Sequence, residues 1–275
     1  MRRRGIAAPS ERIGLTAVRI AAYVILAALV LPMFVVLPLS FTSGSLLIYP
    51  LPGLSLRWYE EFFTDPLWVR ATRNSVLVAI PTTILATALG TAAALGIVRL
   101  RSRLAPVLVG ILVTPLIVPV IVFAVAAFYF YARLGIAGTY LALIAGHTVL
   151  AVPFVVVTVL ATLQGFDSNL ARAASSLGAP PWLAFRRVTL PLILPGVISG
   201  ALFAFVTSFD ELIVTIFLAN PQHRTLPRQL WSGVQETINP TITAAAIVLM
   251  LVSVLAMLAV ELLRRRSARL RGERA

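Results

Sequence analysis

The chain has 275 residues, of which 59% are hydrophobic and only 12% are charged. This composition is too apolar for a soluble domain, where apolar residues make up about 45–50%, and it predicts an integral membrane protein. The absence of cysteine excludes disulfide bonds and thiolate metal sites. The net charge of +13 would also suit a nucleic-acid-binding protein, so the positions of the basic residues have to decide between the two classes.

Six apolar stretches are long enough to cross a bilayer, whose hydrocarbon core of about 30 Å requires about 20 residues of helix. The sequence therefore predicts an all-α integral membrane protein with six transmembrane helices. A basic segment, residues 1–19, precedes them and a basic tail, residues 264–275, follows them. The expected spans are residues 20–41, 75–98, 106–131, 140–163, 192–218 and 241–263.

All 23 basic residues are arginine. If the N-terminus is cytoplasmic, 17 arginines lie on the cytoplasmic side, and the positive-inside rule then predicts that both termini are in the cytoplasm. The charge is explained by topology, so nucleic acid is not an expected partner. Six arginines are left on the external side: Arg57, Arg70, Arg73, Arg133, Arg224 and Arg228.

The basic lead of residues 1–19 suits the anionic inner leaflet of a membrane. A cleaved secretory signal is the alternative interpretation. However, the apolar run that follows is about twice as long as a usual signal core, and no clear small-x-small cleavage site ends it. We therefore expect an uncleaved first span, in which Pro32 and Pro38 are candidate kinks.

Between the first two spans, Trp58, Tyr59, Phe62 and Phe63 occur at helical spacing and predict an interfacial helix. We favour packing of this helix against the bundle over direct contact with substrate. A docking surface for an external binding protein is a third interpretation.

The second and third spans carry different packing signals. Small residues fill the second span from Ala86 to Gly96, which lets helix backbones approach closely. In the third span, Pro115 and Pro119 predict a bend near its cytoplasmic third.

A histidine in a membrane helix raises a functional hypothesis. For His147, in the fourth span, we favour a hydrogen-bonded structural role over a proton relay. No second ligand candidate lies near it in sequence, and His223 falls in a loop, so we expect no metal site.

Residues 164–191, between the fourth and fifth spans, are too organised for a flexible connector. Asp167 or Ser168 can cap a first short helix. Gly178 suits the left-handed conformation that closes a helix.

The Pro180–Pro181 pair then favours the first turn of a second short helix. We expect this helix to run through Phe185 and to end at Arg186 and Arg187, ahead of the fifth span. The predicted result is a compact helix-turn-helix with a face of small residues that a groove in another protein could hold.

This segment resembles the cytoplasmic signature loop of permease subunits of ATP-binding-cassette importers. The pattern is two alanines, three residues, glycine, nine residues, a branched apolar residue, one more residue and Leu-Pro. One position departs from it, since Arg172 stands where the family usually has glutamate. The matching residues are Ala173, Ala174, Gly178, Val188, Leu190 and Pro191.

The resemblance extends over most of the chain and is greatest for permeases of the spermidine/putrescine type. It runs from SLRWYEEFF, through HTVLAVPFVVVTVLATLQGFD, to SFDELIVTIFL and TLPRQLWS. It implies the type I importer (MetI-like) permease fold, a location in the bacterial inner membrane and no enzymatic activity in this chain. It implies no cofactor for the chain itself.

The partners implied are a dimer of ATPase subunits, a second permease that is commonly non-identical, and an external substrate-binding protein. The absence of lysine excludes a Walker A loop in this chain, which agrees with ATP hydrolysis on a separate subunit. The resemblance implies that the ATPase contacts Ala173, Ala174, Leu177, Gly178, Ala179, Leu190 and Pro191.

The fifth span contains Asp210 and Glu211 in an otherwise apolar run. Ionised carboxylates at such a position are costly and usually face a cavity or a partner. On a continuous helix, neighbouring side chains diverge by about 100°, so we expect one to face the pathway and the other a neighbouring helix or subunit. Thr207, Ser208 and Thr215 could add hydroxyls to the same face.

The substrate class stays open from sequence. Carboxylates suit a polyamine or related small organic cation, but a gate or subunit-interface carboxylate explains them equally well. In polyamine-type relatives an acidic residue often follows the second proline of the third span, and here that position is Val120. The alternatives are a permease for an amino acid derivative, iron or an anion, or an ATP-independent carrier or channel. An intramembrane enzyme is disfavoured because no HExxH or GxSxG motif is present.

Overall fold

A computed structural model describes residues 9–100, 103–165, 168–236 and 238–270. These residues form twelve α-helices and no β-strand. Short 3₁₀ turns occur at Thr114–Leu116 and Pro221–His223, and a π-helical turn occurs at Phe185–Thr189. The helices are α1 (Pro9–Leu39), α2 (Arg57–Thr64), α3 (Pro66–Arg99), α4 (Leu104–Val113), α5 (Val120–Arg133), α6 (Tyr140–Gln164), α7 (Ser168–Ser176), α8 (Pro181–Ala184), α9 (Leu190–Phe209), α10 (Ile213–Leu218), α11 (Leu226–Glu236) and α12 (Thr241–Leu270).

Five helical stretches are long and apolar enough to cross a membrane, and the bent pair α4 and α5 makes a sixth if it counts as one span. The predicted all-α, multi-spanning architecture is therefore confirmed. The second span begins earlier than expected, at Pro66 instead of residue 75. The Asp65 carboxylate caps it by accepting hydrogen bonds from the backbone amides of Leu67 (2.9 Å) and Trp68 (3.2 Å).

The bend predicted in the third span is confirmed, and it is a break of 94° between α4 and α5. Pro119 has no amide hydrogen and disfavours helical geometry in the residue before it. Pro115 lies in the 3₁₀ turn that ends the first half. The two prolines therefore divide this span into separate helices.

The centre of the bundle is formed by α3, α6 and α9, which pack at very short distances. A Cβ atom on Gly90 of α3 would lie 2.6 Å from Cβ of Val155 on α6. A Cβ on Gly200 of α9 would lie 2.6 Å from Oγ1 of Thr158 and 3.0 Å from Cα of Val155 on α6. The small residues predicted to pack the second span thus do so, with Ala86 and Ala94 fully buried one helical turn on either side of Gly90.

The aromatic helix α2 packs against the bundle as expected. Trp58 and Phe62 are buried, and the Trp58 indole N–H donates to the carbonyl of Thr42 at 2.8 Å. Phe62 packs in a cluster with Trp68, Leu226, Ile242 and Ala245. By contrast, every side chain of α1 from residue 16 to residue 35 is exposed.

Two expectations about the fifth span were wrong. The second helix of the signature loop does not end at Arg186 and Arg187, because the π-helical turn carries it directly into α9 and Pro181–Phe209 forms one helical stretch. Pro191 cannot donate a hydrogen bond, and the wider turn just before it accommodates that loss. The span also does not continue to residue 218, since α9 ends at Phe209 and α10 begins at Ile213.

The last inter-span segment, residues 219–240, was expected to be a loop. It contains the eleven-residue helix α11. Leu226 of this helix is fully buried against α2 and α12 residues, and Leu230 packs against the same cluster one turn later, so tertiary packing stabilises the apolar face of an amphipathic helix.

We predict that Gly90→Ala destabilises the protein, because the added methyl group overlaps Val155. Overpacking of this kind costs about 1–3 kcal/mol and should lower the melting temperature of the purified protein by several degrees. Gly96→Ala in the same helix is the matched control, since a Cβ there meets nothing within 4 Å. Equal melting temperatures for the two variants would contradict the close packing of α3 and α6.

Candidate functional site

The signature loop closes its first helix with hydrogen bonds of the Schellman type. The amide of Ala179 donates to the carbonyl of Ala174 (3.1 Å), and the amide of Gly178 donates to that of Ser175 (3.0 Å). Gly178 has φ of +85°, as its sequence position predicted, and only glycine adopts that value without strain. Of the two candidate caps, Ser168 is the first residue of α7 and Asp167 lies outside the described residues.

The tip of this loop presents apolar side chains that nothing in the described chain covers. Leu177 is 89% exposed, and Trp182 on α8 is 66% exposed. Ala173 and Gly178 are also exposed, whereas Ala174 and Ala179 are half-buried. An exposed apolar patch of this kind is typical of a protein interaction site.

The last two expected contact residues, Leu190 and Pro191, lie apart from this tip. They form the first turn of α9, where Leu190 is half-buried and Pro191 is exposed. They therefore belong to the base of the loop, at the point where the π-helical turn joins the membrane helix.

The second candidate site is the break in the fifth span, defined as Asp210–Leu212. Asp210 ends α9, and the Glu211 side chain folds onto the start of α10. The Glu211 carboxylate accepts hydrogen bonds from the amides of Ile213 (3.1 Å), Val214 (2.8 Å) and Thr215 (3.3 Å). It thus supplies acceptors for amides that have no partner within the helix.

His147 on α6 joins the two sides of the break. Its imidazole is fully buried, with Nδ1 3.0 Å from Oγ of Ser208 on α9 and Nε2 3.2 Å from Oγ1 of Thr215 on α10. The Thr215 hydroxyl also lies within 3.4 Å of the Glu211 carbonyl, to which it donates. The hydrogen-bonded role expected for His147 is therefore present, and it holds α9 and α10 to the same helix.

The break changes the geometry expected for the carboxylates. Asp210 and Glu211 do not diverge along one helix, since both lie between helices. Asp210 is exposed, while Glu211 and Thr207 are half-buried and Ser208 is buried against His147. Thr215, expected from the sequence to add a hydroxyl to the same face as Thr207 and Ser208, instead bonds to His147 and to the Glu211 carbonyl. Within the described residues, no three His, Asp or Glu side chains are grouped closely enough to hold a metal.

Comparison with known families identifies the protein class. Residues 86–269 match the model of the family described as the binding-protein-dependent transport system inner membrane component. The chain belongs to this family. It is accordingly an inner-membrane transport subunit, not an enzyme.

Several relatives of this permease have names that state what they transport. PotC of Escherichia coli, a spermidine/putrescine transport system permease protein, is 31% identical over 88% of this chain and 91% of its own length. PotI, a putrescine transport system permease protein of the same organism, is 32% identical over 78% of this chain and 79% of its own. ModB of Mycobacterium bovis, a molybdenum transport system permease protein, is 31% identical over 82% and 92%.

Solved structures share the fold of this permease. A chain of a bacterial ABC transporter involved in alginate import superposes with a TM-score of 0.70 at 17% identity, covering 94% of this chain and 96% of that one. A chain of the MetNI methionine ABC transporter gives a TM-score of 0.61 at 20% identity, covering 74% and 99%. The permease therefore has the type I ABC importer fold that the signature loop implied.

We predict that His147→Ala loosens the break. The substitution leaves two buried hydroxyls without their imidazole partner, a loss of about 1–3 kcal/mol. Because the chain has no cysteine, a single Leu212→Cys probe can report the change through its rate of maleimide labelling. We expect labelling to be severalfold faster in the His147→Ala background.

Thr148→Ala is the control for this experiment, because the Thr148 hydroxyl bonds only the carbonyl of Ile144 in its own helix. Its labelling rate should match that of the parent Leu212→Cys protein. Equal rates for His147→Ala and the parent would mean that the imidazole does not hold the break.

Proposed function

We propose that this permease forms half of the translocation pathway of an ATP-driven importer for polyamines or a related small organic cation. The observation that carries the proposal is the identity of 31–32% with PotC and PotI over most of the chain. An exposed carboxylate within a break of the fifth span gives this similarity a chemical basis.

We infer the coupling mechanism from the continuity of the helix that leaves the signature loop. The arginine distribution supports a cytoplasmic position for the loop, where its apolar tip would dock in a cleft of an ATPase subunit. Residues 181–209 form one helical stretch of 29 residues, about 40 Å at 1.5 Å per residue. A displacement of the start of this stretch at Pro181 would therefore be transmitted along it to the break at Asp210.

In this mechanism, closure of two ATPases on ATP turns two permeases from inward-facing to outward-facing. An external binding protein then delivers the substrate to the open side. A single chain with about six spans encloses little space, so a second permease, commonly non-identical in systems of this kind, completes the pathway.

Asp210 is the residue we assign to the cation. Both carboxylate oxygens of Glu211 are occupied by backbone amides, whereas the Asp210 side chain is exposed at the end of α9. A carboxylate beside an ammonium group is the complementary pair in a poorly solvated site. Thr207 and Ser208 lie one turn or less before it, although Ser208 is engaged with His147.

An anionic substrate is the second candidate. The similarity to ModB favours it, at 31% identity over 82% of this chain. Under this alternative, Asp210 acts as a gate or as a subunit contact and does not touch the substrate.

We predict that Gly178→Asp abolishes co-purification of the ATPase subunits. The substitution strains the left-handed turn and introduces a charge on the apolar tip of the loop. Gly135→Asp is the matched control, because Gly135 also has a left-handed φ (+71°) and open space around it but lies in the α5–α6 connection. Retention of the ATPase by Gly178→Asp would count against docking at this loop.

We predict that Asp210→Asn lowers uptake of spermidine or putrescine about tenfold or more, while the complex still assembles. Uptake should be measured with the complete transporter in vesicles, against a panel of polyamines, amino acids, iron and anionic solutes. Asp210→Glu keeps the charge and should retain part of the activity. Wild-type polyamine uptake by Asp210→Asn would remove Asp210 from the pathway.

A further inference from the structure

A polar pocket of about 570 Å³ lies at the end of the bundle opposite the signature loop. It is formed where α3 and α6 begin and where the chain approaches α11. Because α6 runs from this pocket to the signature loop, the two features are separated by the whole length of a membrane helix. The polar residues that line it are Arg70, Arg73, Asn74, Tyr140, Gln222 and His223.

The floor of the pocket is held by a buried asparagine. The Asn74 amide donates to the carbonyls of Gln222 and Arg224, both at 2.9 Å. Its own side-chain oxygen accepts a hydrogen bond of 2.6 Å from the hydroxyl of Tyr140. Asn74 is only 2% exposed, so these bonds tie three separate segments of the chain together.

Further contacts fix the same wall. His223 donates from Nδ1 to the carbonyl of Gly138 at 2.6 Å, and its ring centroid lies 4.1 Å from that of Tyr140. The Ser75 hydroxyl accepts from the amide of Leu226 at 2.8 Å. The pocket is therefore preformed, so binding of a partner does not require these side chains to be ordered first.

The pocket carries positive charge that the described chain does not neutralise. Arg70 and Arg73 are both exposed and lie one turn apart on α3. Across the described residues, no carboxylate approaches either guanidinium within the 4.0 Å of an ion pair. The nearest acidic residue along the chain, Asp65, accepts hydrogen bonds from backbone amides.

Two more arginines, Arg224 and Arg228, follow the pocket residues Gln222 and His223 along the chain. The carbonyl of Arg224 belongs to the Asn74 network. Burial lowers the pKa of Arg228, and the positive charge of the nearby Arg224 lowers it further, whereas Glu236 raises it. Arg224 and Arg228 thus add positive charge to the segment that follows these pocket residues along the chain.

We propose that this pocket receives an acidic side chain of the substrate-loaded external binding protein. The inference rests on the proposed function, because it takes this end of the permease to face the outside of the cell. Two guanidinium groups one turn apart can hold a carboxylate through paired, charge-assisted hydrogen bonds. They repel a polyamine, so the pocket is not part of the cation pathway.

The weakness of exposed ion pairs indicates that the occupant of the pocket is a carboxylate on a folded protein and not a free anion. An isolated exposed ion pair is weak, because water and salt screen it, and it does not retain a small anion at an open pocket. A carboxylate on a folded partner does not act alone, since the rest of the interface adds to its affinity. Charge pairs at the rim of an interface chiefly raise the association rate and fix orientation.

The test uses the complete transporter in lipid nanodiscs and measures ATPase rate against the concentration of its substrate-loaded binding protein. The double variant Arg70→Glu/Arg73→Glu should raise the half-saturating concentration about tenfold or more at low salt. The wild type should lose affinity between about 50 and about 300 mM NaCl, because salt screens exposed charges. The double variant should not show that loss.

Arg133→Glu is the matched control, since Arg133 is also exposed and at the end of α5 but does not line the pocket. Its half-saturating concentration should equal that of the wild type. The charge-preserving variant Arg70→Lys/Arg73→Lys should fall between the wild type and the double glutamate variant, because lysine keeps the charge but not the fork of donors.

An unchanged half-saturating concentration in the double glutamate variant would overturn the proposal. Arginine-dependent binding of sulfate or molybdate to the complex without binding protein would also overturn it, in favour of an anionic solute. Retention of the ATPase subunits and of basal ATPase activity by the variant shows that the coupling loop is intact. A different result, absence of ATPase subunits from the wild-type complex, would contradict the proposed function itself and not only the role of the pocket.

Discussion

A helix that is interrupted inside a membrane must find partners for its freed backbone groups, because lipid offers none. The break at Asp210–Leu212 meets this requirement with side chains of its own and of one neighbour. Glu211 supplies oxygens to the first amides of α10, and His147 connects hydroxyls on both sides of the break. The interruption is therefore a defined conformation, and it can present Asp210 at a fixed position at the end of α9.

The packing of α6 explains why this arrangement is held in place. Gly90 of α3 and Gly200 of α9 both meet α6 at Val155, with almost no space for additional atoms. The His147 side chain projects from the same helix toward the break. The helix that forms the centre of the bundle thus also carries the residue that fixes the polar break, so any displacement of α9 against α6 would act directly on the break.

The sequence predicted the features that depend on the local properties of one residue type, such as glycine, proline or a small side chain. Gly178 indicated a left-handed helix end, Pro115 and Pro119 indicated a bend, and small residues indicated close packing of the second span. The break in the fifth span could not be predicted in this way, since residues 210–212 contain neither proline nor glycine. It depends on His147, which is more than 60 positions away in sequence. The pocket around Asn74 was missed for the same reason, because its contacts join residues about 150 positions apart.

The π-helical turn at Phe185–Thr189 determines how the signature loop is oriented relative to the bundle. A turn of this kind contains about one residue more than an α-helical turn, and one residue corresponds to a rotation of about 100° about the helix axis. The faces of the helix on either side of the turn are consequently out of phase by that angle. Gly196 and Gly200 face α6 in this structure. If a regular α-helical turn replaced the π-helical turn and these glycines still faced α6, the apolar tip of the loop at Leu177 would point in a different direction around the bundle.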